Sequence, residues 1–266
     1  MSNPKSISRR FLRVLLWLVA IILILFALQV TVLAFPQIVL SQCEQVGTVA
    51  IYHDDASGTD ISALATEVDL RLQANRFYES SRRDRVFLFH SQKLFEFYAR
   101  LALVSPKVQG FNLSVFGNSY LNAARIVELS SNRSNTPKYS IWEGSLAHTI
   151  AHEVGHQYLI DQIGRSTWMR LPHWKQEGLP EYIASISLIR SDSLLSLYDR
   201  FGILNSDQAW DDTYEWDRIH YKAELMVEYL LEVKRYSIED IIADTVLAED
   251  VYSEMLDWYN TARPQI

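Results

Sequence analysis

Cysteine is nearly missing from this chain: Cys43 is the only one in 266 residues. A single thiol forms no internal disulfide, which rules out a disulfide-stapled fold and a Cys-rich zinc fold. Positive charge is scarce as well, with 25 Lys+Arg against 32 Asp+Glu. Lys5, Arg9, Arg10 and Arg13 all precede residue 14, so the remainder holds 21 cations against every acid, a balance of −11. Such a surface cannot release counterions from a phosphate backbone, and nucleic acid is excluded as a partner. Repeats and low-complexity tracts are absent too, so the length fits one large domain or two small ones.

Apolar residues are plentiful, 48% of the chain, and unevenly spread. One run opens at Val14 and closes at Phe35, and only Gln29 and Thr31 within it are polar. As a helix rising about 1.5 Å per residue it reaches roughly 33 Å, matching a hydrocarbon core of about 30 Å. The apolar region of a cleaved signal peptide is shorter, about 7–15 residues. Lipidation at Cys43 is the lesser alternative, because Gln42 stands where a small residue is expected. Four cations precede the run and none follows until Arg71, so the positive-inside bias puts the N-terminus in the cytoplasm. The resulting division is a basic cytoplasmic tail (1–13), a transmembrane signal anchor (14–35), a connector (36–44) and a domain at 45–266 that is periplasmic or extracellular. Asn112 and Asn132 match a glycosylation triplet too common to carry weight.

Beyond the connector, periodicity predicts strands at 47–52, 85–90, 111–116 and 123–129, the last two around a Gly117-Asn118-Ser119 turn. Helices are predicted at 61–72 and 91–103. From Ser140 the pattern becomes helical: Ser140 and Glu143 form a capping box, and Gly164 ends that helix. The expected architecture is α+β, a mixed sheet lobe followed by a helical lobe.

Inside the capped helix stands His152-Glu153-Val154-Gly155-His156. Two imidazoles at i and i+4 share a helical face and can grip one divalent ion, with Glu153 placed to reach a metal-bound water. Composition alone yields this pattern about 0.01 times per chain of this length. The uncharged flanks Ile150, Ala151, Gln157 and Tyr158 fit a buried site helix. Zinc needs a third protein ligand and an open position. Glu177 and Glu181 follow, one helical turn apart, in Trp174-Lys175-Gln176-Glu177-Gly178-Leu179-Pro180-Glu181-Tyr182.

HExxH followed by W-x-x-E-G-x-x-E-Y resembles the gluzincin metallopeptidases, the peptidase MA-like superfamily that includes thermolysin and the aminopeptidase N-like enzymes. The resemblance covers roughly residues 140–233. It implies a zincin-like fold, one Zn2+ per chain held by His152, His156 and Glu177, and Glu181 hydrogen-bonded to a zinc-binding histidine. Pro180 departs from the family, which more often has a small helix former there; a helix starting near Gln176 would accommodate it in the first turn. His148 and His173 read as non-ligands, His148 as a core or supporting residue. Tyr221 opens a helix whose apolar face runs Ile219, Ala223, Met226, Leu230 and Val233, and its resemblance to the aminopeptidase N-like segment implies an oxyanion donor, with His220 the alternative. The family also implies that strand 123–129 lies beside the cleft and pairs with extended substrate. No G-x-M-E-N-like string is present, so aminopeptidase action is unsupported. The acidic loop 210–217 would favour basic substrates if it faced the cleft.

These readings converge on a membrane-anchored zinc endopeptidase acting on a peptide or protein substrate through a zinc-activated water, with Glu153 as base and then acid. The competing class is an inactive peptidase-fold binding protein with a structural metal; an intact Glu153 argues against it. An intramembrane protease is disfavoured because His152 lies far from the only apolar span.

Overall fold

The computed structural model describes residues 4–54, 59–132, 145–190, 196–206, 215–243 and 245–262. Helix α1 (Pro4–Ala34) contains the 24-residue stretch Phe11–Ala34, of mean hydropathy 2.9 and exposed over most of its length, which is long and apolar enough to cross a membrane.

Five strands form one mixed sheet: β1 (Gln42–Val46), β2 (Val49–His53), β3 (Asp84–Phe89), β4 (Gly110–Leu113) and β5 (Asn118–Asn122), in the order β1-β2-β3-β5-β4. The central strands β2, β3 and β5 are parallel, and the edges β1 and β4 run antiparallel to their neighbours. Parallel neighbours need crossovers, and α2 (Ile61–Gln73) and α3 (Gln92–Leu101) lie in the two connections. Asp60 and Ser91 cap them, accepting from the Ala63 and Leu94 amides. Period-two alternation buries both faces. Val86 and Leu88 of β3 join Val49, Ile51 and Leu121 in the larger core, while Phe87 and Phe89 join Tyr120, Phe95, Tyr98 and Phe111 in an aromatic core on the other side. Phe111 and Tyr120 stack with ring centroids 4.7 Å apart.

Three expectations need correction here. Residues 123–129 are helical, within α4 (Ala123–Asn132); the strand ends at Asn122, whose side chain accepts from the Arg125 amide and starts the helix. Asn118 and Ser119 belong to that strand and not to a turn. The domain also begins before residue 45, since β1 starts at Gln42 and Leu40 is fully buried in the aromatic core.

The second half is helical: α5 (Leu146–Ile163), α6 (Arg165–Trp168), α7 (His173–Arg190), α8 (Leu197–Leu204), α9 (Glu215–Glu228) with a π-helical extension (Tyr229–Val233), α10 (Ile238–Ile242) and α11 (Ala248–Thr261). Ser140 and Glu143 lie outside the described residues; Ser145 caps α5, and Gly164, at φ 80°, ends it. Helix α7 starts at His173, three residues earlier than expected, so Pro180 sits inside it. Two glycines let α7 lie close between α5 and α9. A Cβ on Gly155 would stand 3.2 Å from Pro180 Cα, and one on Gly178 only 2.4 Å from the Ala223 carbonyl oxygen. The backbone around Pro180 is thus seated on a residue without a side chain.

Candidate metal centre

Helices α5 and α7 bring together the two halves of the motif. His152 Nε2 and His156 Nε2 stand 3.0 Å apart, and Glu177 Oε2 lies 3.4 Å from the first and 3.6 Å from the second. Two imidazole nitrogens converging at that distance need a proton or a metal ion between them. The three distances bracket the about 3.3–3.4 Å that separates ligand atoms bonded at about 2.0–2.1 Å to one tetrahedral metal ion. A second set overlaps it: His152, Glu177 and His220 of α9 have donor atoms within 4.8 Å of one another and could hold a metal ion. His220 Nδ1 is 3.9 Å from Glu177 Oε2, so the set containing His156 is the tighter one.

Glu181, one turn beyond Glu177, is the hub beneath these ligands and only 2% exposed. Its Oε1 lies 3.0 Å from His152 Nδ1 and 3.2 Å from His220 Nδ1, and its Oε2 accepts from His148 Nε2 at 2.7 Å. Burial alone would raise its pKa, but the imidazoles of His152 and His148 more than offset this and hold the carboxyl well below its ordinary range. Burial likewise opposes charge on Glu177, and contact with His152 and His156 outweighs it, giving a pKa of about 2. His156 is driven down to about 3, first by burial and then by the neighbouring His152, which leaves its ring neutral and able to ligate. His152 is held well above its usual value: burial opposes its charge, and Glu181 and Glu177 prevail. Trp168 packs edge-on against His156 with centroids 5.5 Å apart, limiting ring rotation. His173 remains at the rim, its side chain half exposed and Nε2 3.7 Å from Glu177 Oε1.

Glu153 is 7% exposed, and burial pushes its pKa up to about 7. Gly110 of β4 lies against it: a Cβ there would stand 2.8 Å from Glu153 Oε1. The sheet edge beside Glu153 is therefore β4, not residues 123–129. Sequence reasoning missed this neighbour, whose only signal is a glycine opening an edge strand.

The structure places the two adjacent oxyanion-donor candidates of α9 in different surroundings. Tyr221 is 2% exposed and donates its hydroxyl to the Arg200 carbonyl of α8 at 3.2 Å, inside the core. His220 occupies the place beside the two carboxylates. Helical geometry explains the difference. His220, Ala223 and Val227 form the stripe facing Gly178 and Glu181 on α7, whereas Tyr221, Glu224 and Glu228 form the stripe facing Arg200. Ile219 and Val233, assigned to the apolar face, are 41% and 38% exposed. Of the acidic loop, residues 210–214 lie outside the described residues, and Glu215, Trp216 and Asp217 begin α9. Compared with known proteins, the chain matches no family model and no curated protein.

Proposed function

We propose that the chain is a membrane-anchored zinc-dependent peptidase of the gluzincin type, with α1 as its membrane span, its N-terminus in the cytoplasm and its catalytic domain outside. The observation that carries this reading is the convergence of His152 Nε2, His156 Nε2 and Glu177 Oε2 beside a buried Glu153. A donor set of two imidazoles and one carboxylate suits zinc, and it leaves a position for water. Bound there, the ion supplies Lewis acidity, polarising a substrate carbonyl and acidifying a water.

The chain's own residues supply the rest. Glu153, with a pKa of about 7, accepts a proton from the attacking water and returns it to the leaving amine, a role favoured by a pKa near the working pH. Glu181 orients His152 through Nδ1 and keeps Nε2 free for ligation. His220, held by Glu181 at 3.2 Å, is the donor for the oxyanion. The strand β4, which ends the sheet among the described residues, is the pairing edge for an extended substrate next to Glu153.

The test uses the full chain in detergent, purified as wild type, Glu177→Ala and Glu153→Gln. About one zinc per wild-type chain, a sharp loss in Glu177→Ala, and retained zinc with lost peptide-library hydrolysis in Glu153→Gln would support the reading. Folded wild-type protein without zinc would overturn it, and zinc without any hydrolysis would favour a binding protein.

A further inference from the structure

The end of α1 is built into the domain. Gln29, a polar residue within the apolar stretch, donates to the Leu101 carbonyl at the end of α3 at 2.7 Å. The carbonyls of Leu33 and Ala34, which the helix itself leaves unpaired, accept from Asn118 Nδ2 of β5 at 3.2 and 3.4 Å, and the Tyr120 hydroxyl also donates to Leu33. Leu33 is buried in the aromatic core. These bonds set the level of the domain relative to the apolar helix. Gln29 lies five residues before Ala34, about 7–8 Å back along the helix axis, so the turn after α3 sits alongside the apolar stretch and not beyond its end.

That level carries unusual exposure. Leu103, two residues past the Gln29 contact, is 90% exposed and has φ 60°. It fills the position after a helix C-cap where glycine is favoured, with Leu103 N–H bonding the Arg100 carbonyl and Val104 N–H the Ala99 carbonyl. A leucine there costs backbone strain and, in water, exposed apolar surface. Val115, in the turn leading to Asn118, is 64% exposed. Phe97, one turn before Leu101 on α3, and Phe35 and Ile38, directly after α1, are 52%, 48% and 75% exposed. Arg100, which pairs with Glu96 on α3 at 3.0 Å, and Lys107, both exposed, flank the patch with cations.

We propose that this collar is a lipid-binding surface: Leu103, Val115, Phe97 and Ile38 enter the outer leaflet around the C-terminal end of α1, and Arg100 and Lys107 reach headgroup phosphates. The occupant is lipid because the collar is continuous with the apolar stretch Phe11–Ala34 and lies at its level. The strand β4 then links bilayer and site. From Val115 to Gly110, against Glu153, is five residues, at most about 17 Å of extended chain. Glu153 thus stands near the membrane surface, within reach of chain segments emerging from it. The inference rests on α1 spanning the membrane; it does not depend on the peptidase reading.

The experiment reconstitutes the full Cys43→Ser chain in phosphatidylcholine vesicles, with single cysteines at 103 or 115 carrying an environment-sensitive fluorophore. Met169 and Leu247, 68% and 53% exposed, serve as control positions. Resistance to alkaline extraction reports α1 insertion separately, and its failure would overturn both the membrane span and the collar while leaving the metal site untouched. With α1 inserted, nitroxide-labelled lipid should quench 103 and 115 at least twofold and leave the controls unchanged, while aqueous iodide does the reverse. Iodide quenching at 103 and 115 equal to the controls would overturn the proposal, as would protection from both quenchers, which would mean a protein covers the collar. Leu103→Asp should leave the chain extraction-resistant but raise iodide access at 115.

Discussion

Gly178→Ala perturbs the packing that seats His220 without touching a ligand. The added Cβ would meet the Ala223 carbonyl oxygen at 2.4 Å, its carbon at 2.7 Å and Val227 Cγ2 at 3.0 Å. Ordinary contact begins near 3.4 Å, and the first two atoms are helix backbone, so α9 must retreat from α7 by about 1 Å. Overpacking of this kind costs about 1–3 kcal/mol, and a backbone clash belongs at the upper end. Replacing a helical glycine returns about 1 kcal/mol of propensity. The net destabilisation is about 2 kcal/mol, a fall of roughly 4–8 °C in the thermal midpoint for a domain of this size. Gly155→Ala is the control: its nearest contact is 3.2 Å from Pro180 Cα, so propensity should largely cancel the crowding. Thermal unfolding of both variants in detergent decides the matter, with zinc content alongside. Because His220 rides on α9 and the triangle of His152, His156 and Glu177 does not, Gly178→Ala should keep zinc and lose hydrolysis. An unchanged or raised midpoint for Gly178→Ala would refute the close-packing argument.

The difference in surroundings on α9 predicts that His220→Gln lowers kcat about 100-fold with zinc retained, by analogy with loss of one oxyanion donor, whereas Tyr221→Phe costs only about 1 kcal/mol of stability through one lost hydrogen bond. Removal of the metal by chelation should lower the thermal midpoint, and zinc at 100 times its Kd should restore about 2.7 kcal/mol. Glu224 makes a pH prediction. Arg200 is buried with two carboxylates, Glu224 at 3.5 Å and Glu228, and burial pushes the Glu224 pKa to about 8 from an ordinary 4.5. A carboxyl whose folded pKa is raised contributes most below about 4.5 and loses that contribution as pH climbs through 8. Glu224→Gln should therefore gain stability relative to wild type as pH rises from about 5 to about 8, read as a widening gap in thermal midpoint; a gap that narrows would refute the assignment.

The local signals in this sequence were reliable wherever a side chain announces its own environment. The 22-residue apolar run, the alternation through Val86 to Phe89, the amphipathic stretch that became α2 and the two histidines one turn apart each fix their own local geometry: a helix, a strand, a helix and a shared helical face. The spacing of Glu177 and Glu181 was equally readable, although their approach to α5 was not. Errors arose where two readings share one local pattern. Residues 123–129 alternate well enough for a strand, and the cap from Asn122 decided for a helix. Pro180 suggested a helix start, but α7 begins at His173 and carries the proline inside it, with the bare Gly155 of α5 packed against it.

The amino-acid sequence by itself determined the apolar span, the mixed α+β character and the pair of imidazoles with a carboxylate between them, because these depend on periods of two or 3.6 residues within one segment. Tertiary structure alone decided which of His220 and Tyr221 faces the carboxylates, since a step of one residue turns a side chain by about 100° and the answer depends on where α7 and α8 lie. It also decided that a glycine 43 residues upstream, Gly110, lies against Glu153, and that Gln29 ties the apolar helix to α3. Contacts between residues distant in the chain are set by the packing of whole elements, and no local pattern encodes them.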